Sequence, residues 1–118
     1  MKAVKFLSVG LVGLLVDSTM FLLLQWFGVE LLLSRLLAFW AAVCTTYIGN
    51  TAFTFNRSAS NDTFISYFLA MHLTGFFNLA LFSYLTLMTN THVNIAFVIG
   101  ILLGTILNYG FSKRILES

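Results

Sequence analysis

Four long apolar runs alternate with short polar breaks along the chain, at about 6–28, 31–53, 64–88 and 93–112. Each run holds roughly 20 or more residues, and at ~1.5 Å per helical residue that crosses the ~30 Å hydrocarbon core of a bilayer. None alternates with the period of two that a barrel strand requires. The pattern predicts an all-α membrane protein with four transmembrane helices. The breaks near Gly28–Leu31 and Thr89–His92 are very short. Between spans two and three lies Asn56-Arg57-Ser58-Ala59-Ser60-Asn61-Asp62-Thr63, which alone has the composition of a soluble turn. A single transmembrane domain over 1–118 is expected, with no soluble domain. The first span is too long for a signal-peptide core of ~7–15 residues and is followed by no small-residue cleavage site, so a removable leader is not expected.

Within the apolar runs a polar signature occurs twice. Ala38-Phe39, ten residues, then Asn50-Thr51-Ala52-Phe53 returns 58 positions later as Ala96-Phe97, ten residues, then Asn108-Tyr109-Gly110-Phe111. Small and polar residues four apart extend the match: Ala38, Ala42, Thr46, Asn50 and Thr54 align with Ala96, Gly100, Gly104, Asn108 and Ser112. Residues at that spacing share one helix face, and small residues there let helix backbones approach closely in lipid. The chain therefore reads as a duplicated two-helix hairpin packed through its second and fourth helices.

Composition agrees with the membrane reading. The chain is 59% hydrophobic and 8% charged, with 13 Phe and no Pro, against roughly 25% charged residues in soluble domains. Cys44 stands alone, so no internal disulfide can form. A net charge of +2 is too small to imply a nucleic-acid partner. The positions of the charges matter more than their sum. Four spans put the amino end, the 54–63 loop and the carboxyl end on one side, with Lys2, Lys5, Arg57, Lys113 and Arg114; the other side has only Arg35. Five against one predicts cytoplasmic termini by the positive-inside rule.

Candidate chemistry then reduces to a few polar residues. Asp17 lies about 12 residues beyond Lys5, or ~18 Å into the span. A mid-depth Asp costs ~2.5–3.5 kcal/mol on insertion scales and faces a bundle interior or a wet cavity. Phe6, Gly10, Gly13 and Met20 recur with it on one predicted face. It is a proton or cation relay, a group that orients a basic partner, or a structural hydrogen bond between helices. Arg35, one turn inside the outer end of span two, either snorkels to the headgroups or grips a phosphate or carboxylate with its planar fork. Asp17 is its one acidic candidate within the spans. An axial gap of roughly two turns requires long reach or a bridging water.

Asn50 and Asn108 sit near the inner ends of spans two and four, where paired amides bridge helices or meet a headgroup. Lys113 and Arg114, beyond Asn108, suit an anionic lipid or a lipid phosphate, or serve only as positive-inside flanks. Tyr47 is an interfacial or sugar-facing aromatic, or a packing residue. His72 and Asn78 share span three with Gly75 at three-residue steps. His72 reads as a hydrogen-bonded bundle residue, since a metal needs two to four convergent ligands. No nucleophile with its base, phosphate-cradling loop or paired acids is present, so neither catalysis nor a cofactor is expected.

Together these residues resemble the GtrA-like family of small four-helix membrane proteins linked to flipping polyprenyl-phosphate sugars. The resemblance runs through Lys5-Phe6, Val9-Gly10 and Asp17 in span one. It is densest in span two, at Arg35-Leu36-Leu37-Ala38-Phe39, Tyr47 and Asn50-Thr51-Ala52-Phe53-Thr54-Phe55, and returns at Asn108-Tyr109 and Ser112-Lys113-Arg114. Members often carry a basic residue directly after the first Asn, where this chain has Thr51; Arg57 is the available substitute. The resemblance implies a multi-pass protein of the bacterial inner (cytoplasmic) membrane. Its implied role is moving a lipid-linked sugar, such as undecaprenyl-phosphate glucose, to the outer leaflet for cell-surface polysaccharide modification. Asp17, Arg35, Tyr47, Asn50, Asn108, Lys113 and Arg114 would line the path. A bundle this narrow is expected to work as a homo-oligomer. The alternative is a non-transporting anchor or accessory subunit for a polyprenyl-phosphate glycosyltransferase. A small multidrug exporter fits the charge bias and the Asn motifs poorly.

Overall fold

A computed structural model describes residues 1–117. Helix α1 is Lys2–Trp26, α2 is Leu31–Gly49 continued by a π-helical turn Asn50–Thr54, α3 is Asn61–Met88 and α4 is Val93–Glu117. All four are long and apolar enough to cross a membrane, so the protein is an all-α, multi-pass membrane protein with four spans. The chain divides into two compact units, residues 1–64 and the remainder from Ile65.

The helices stop where the backbone is forced out of the right-handed region. Gly28 has φ +83° and follows the carboxyl end of α1, where Gly28 N–H donates to Gln25 O and Val29 N–H to Leu24 O. Only glycine takes that conformation without strain. Asparagine does the same duty at Asn56 (φ 51°) and Asn90 (φ 57°), with Arg57 N–H donating to Thr51 O and Thr91 N–H to Leu85 O. Starts are capped by side chains. The Glu30 carboxylate accepts from Leu32 N–H and Leu33 N–H at the head of α2, and Ser60 Oγ accepts from Thr63 N–H at the head of α3. Within the spans, hydroxyls bond their own helix: Thr45 to Ala41 O, Thr74 to Ala70 O, Thr86 to Phe82 O and Thr105 to Ile101 O. That satisfies the donor where no bulk water competes.

In the first unit, α1 packs on α2 through two glycine notches. A Cβ on Gly13 would overlap Thr46 Cγ2, and a Cβ on Gly49 would come within 2.8 Å of Val9. The buried face of α1 is Phe6, Val9 and Gly13. Gly10 and Met20, expected on that face, are exposed. In the second unit, the glycines of the α4 stripe receive α3: a Cβ on Gly100 would overlap Asn78 Oδ1, and Gly104 faces Asn78 and Thr74 in ordinary contact. Each stripe thus has a partner inside its own hairpin. The two copies end differently. In the first, Phe55 N–H reaches back five residues to Asn50 O at 2.8 Å, the bond that defines a π turn. The second continues as α-helix through Ser112 to Glu117.

Candidate functional site: an ion pair within the first hairpin

Asp17 in α1 and Arg35 in the second turn of α2 meet directly. Arg35 Nη2 donates to Asp17 Oδ1 at 2.9 Å and lies 3.2 Å from Oδ2. No bridging water is required, because the arginine arm spans the axial offset once the tight turn at 27–30 sets the register of the two helices. That turn is itself tied: Gln25 Nε2 donates to Val29 O and to the wholly buried Ser34 Oγ. Phe21, one turn beyond Asp17 on the same face, puts its ring 4.5 Å from Arg35 Cζ. The guanidinium is therefore held by a carboxylate at one nitrogen and an aromatic face alongside. The Arg35 side chain is 46% exposed and that of Asp17 23%. Neither makes any other ionic or hydrogen-bond contact among the described residues.

The other sequence-predicted residues are placed differently. Tyr47 is buried, and its hydroxyl lies 2.7 Å from Thr63 Oγ1, donates to Ser60 O and accepts from Ser60 N–H. Its ring meets Phe64 edge-on at 5.1 Å. It pins the loop after α2 to the start of α3. Asn50 is 1% exposed and its Oδ1 accepts from Thr54 Oγ1 at 3.0 Å, which braces the π turn. Both residues have polar atoms engaged inside the fold. At the same end of the first unit, Lys2 Nζ lies 5.7 Å from the Phe55 ring centroid and Lys5 Nζ 5.2 Å from that of Phe53. Aromatic faces hold the two cations there.

Asn108 behaves unlike Asn50. Its Oδ1 is buried with no hydrogen-bond partner among the described residues, and so is Ser112 Oγ one turn later. Lys113 and Arg114 follow as exposed residues; Arg114, in the last turn, also complements the helix dipole. Thr51 Oγ1 is a third buried side-chain oxygen without a partner among the described residues. His72 Nδ1 donates to Phe68 O at 2.8 Å and its ring lies against Phe68. Among the described residues no group of three or more His, Cys, Asp or Glu could hold a metal ion. Phe21, Ser60 and Thr63 were not legible in the sequence as site residues, and Ser112 appeared there only in the small-residue stripe and the family motif. Phe21 alone had a usable signal, its four-residue spacing from Asp17.

A protein of four apolar helical spans with an ion pair inside its first hairpin, and no metal cluster among its described residues, belongs with the small multi-pass membrane domains. The profile of one such family, described as "GtrA/DPMS, transmembrane domain", matches residues 5–116. The chain belongs to the GtrA/DPMS transmembrane-domain family, whose members are involved in handling lipid-linked sugars. No curated protein sequence matches it.

Proposed function

We propose that this protein translocates a polyprenyl-phosphate-linked sugar, such as undecaprenyl-phosphate glucose, across the cytoplasmic membrane for cell-surface polysaccharide modification. It performs no covalent chemistry on that lipid. The observation that carries this reading is the Arg35 guanidinium. It sits inside a membrane-spanning hairpin, is half exposed, and has Nη1 and Nε without an acceptor among the described residues. A planar fork with open donors suits a phosphate oxyanion. Unassisted movement of a sugar and a charged phosphate through hydrocarbon is prohibitive, and polar stepping points lower that barrier while the prenyl tail stays in lipid.

Orientation is part of the proposal. With both termini cytoplasmic, as the five-to-one basic bias favours, Arg35 lies toward the outer leaflet. Lys113 and Arg114 then lie at the cytoplasmic rim, where an anionic headgroup first arrives, and the unpaired Asn108 Oδ1 offers an acceptor for a sugar hydroxyl. The working unit in this reading is a homo-oligomer, since four spans offer few polar side chains to line a path.

The test is direct. Purified protein is reconstituted into vesicles holding a fluorescent short-chain prenyl-phosphate glucose, and its movement between leaflets is followed by quencher accessibility. Wild-type protein is expected to accelerate movement over empty vesicles, Arg35→Gln to remove at least about nine-tenths of that gain, and Arg35→Lys to retain only part of it because charge remains without the fork. Wild-type vesicles indistinguishable from empty ones would overturn transport and leave the protein as an accessory subunit of the glycosyltransferase.

A further inference from the structure

We propose that Asp17 is an internal competitor of the ligand's phosphate for the Arg35 guanidinium, so that the wild-type site holds its ligand loosely enough to release it. This rests on the reading that Arg35 takes a phosphate. A guanidinium offers two edges with paired, parallel N–H bonds, Nη1 with Nη2 and Nε with Nη2. Nη2 belongs to both. Asp17 is bound at that shared nitrogen, with its two oxygens at 2.9 and 3.2 Å. Nη2 has one N–H for each edge, so an oxyanion that takes a two-bond edge while the ion pair stands shares that nitrogen with the Asp17 carboxylate as a second anion on one cation, and a grip free of that like charge is reached only where Asp17 yields.

The surroundings favour exchange over a fixed brace. Asp17 makes no second hydrogen bond among the described residues, so nothing locks its carboxylate in place beyond Arg35 itself. The Phe21 ring lies 4.5 Å from the guanidinium carbon and keeps the cation seated when the carboxylate moves aside. The arginine side chain is twice as exposed as the aspartate, 46% against 23%, so an arriving anion meets the fork before it meets the carboxylate. Two anions sharing one cation repel, and in a partly desolvated site that repulsion is strong. It limits ligand residence, which a carrier needs and a simple receptor does not.

The competition predicts opposite signs for binding and movement. Full-length protein in phosphatidylcholine nanodiscs is titrated with fluorescent farnesyl phosphate, with farnesol and inorganic phosphate as separate competitors. Asp17→Asn keeps the shape and removes the charge. It is expected to tighten farnesyl phosphate about tenfold, leave farnesol unchanged, and slow prenyl-phosphate glucose movement in vesicles at least about threefold. Weaker or unaltered farnesyl phosphate binding by a folded Asp17→Asn protein overturns the competition and makes Asp17 a positioning residue. Should that variant fail to fold, solid-state NMR of the wild-type protein reads the same event. The Arg35 guanidinium nitrogen to Asp17 carboxylate carbon distance must lengthen on adding farnesyl phosphate, and an unaltered distance at saturation overturns the idea. Displacement by inorganic phosphate at equal concentration would assign the site to free phosphate instead of a lipid, with the competition intact. Loss of any phosphate preference over farnesol in both proteins overturns the Arg35 reading together with it.

Discussion

Single side chains in the first hairpin divide into those whose polar atoms are taken up inside the fold and those with donors to spare. Tyr47 and Asn50 belong to the first kind. Tyr47→Phe deletes a hydroxyl shared between Ser60 and Thr63, so the folded state is expected to lose about 1–2 kcal/mol. That loss is read as a lower unfolding midpoint in detergent, while movement of lipid per folded molecule stays at the wild-type value. A large transport defect at unchanged stability would return Tyr47 to the ligand path. Arg35 is of the second kind, because its charge is balanced by Asp17 while its remaining donors are not used. The sequence identified both residues as candidates from residue type and depth. It placed them two turns apart, since helical rise counts only the axial coordinate and ignores the length of the arginine arm.

Helix pairs are set by glycine notches whose tightness differs, and the differences yield distinct forecasts. At Gly13 an added methyl collides with Thr46 Cγ2. Gly13→Ala is expected to cost about 1–3 kcal/mol as overpacking, and Thr46→Ser, which deletes that Cγ2, is expected to recover most of it in the double variant. Independent, additive losses would show that the contact does not set the spacing of α1 and α2. On α4 the two glycines of the stripe are unequal. A Cβ on Gly100 overlaps the Asn78 amide, whereas one on Gly104 sits 3.6 Å from Nδ2 in ordinary contact. Gly100→Ala should lower the unfolding midpoint while Gly104→Ala leaves it close to wild type; the reverse order would mean that α3 does not seat on Gly100. Gly104→Leu, with its longer side chain, should disrupt folding. The small-residue stripe was legible as a repeat of spacing. Its partners were not, because spacing names a helix face and not the side chain that fills it.

At the scale of the whole molecule, the topology has an even number of spans, so both ends must share a side. Cysteine accessibility at position 2 and in the 56–60 loop, in a Cys44→Ser background, is expected to be equal, and both sites should be protected from a membrane-impermeant reagent in intact cells. Labelling of either site from outside would reverse the proposed orientation. Under the proposed function the orientation decides whether a lipid phosphate meets the basic ends of the helices before or after Arg35.

Four spans, an all-helical fold and the family were determined by the sequence alone. Hydropathy and chain length are summed residue by residue, and a bilayer of set thickness converts that sum directly into crossings. The motifs that carry the resemblance are likewise local. Tertiary structure decided what those residues touch. The direct Asp17–Arg35 bond depends on the register given by the turn at Gly28 and Glu30 and on the seat of Gly13 against Thr46. The capture of Tyr47 by Ser60 and Thr63 depends on how the loop folds back after the π turn at Asn50. A hydrogen bond forms or fails within a few tenths of an ångström, and no sum over residues along a chain resolves distances that small.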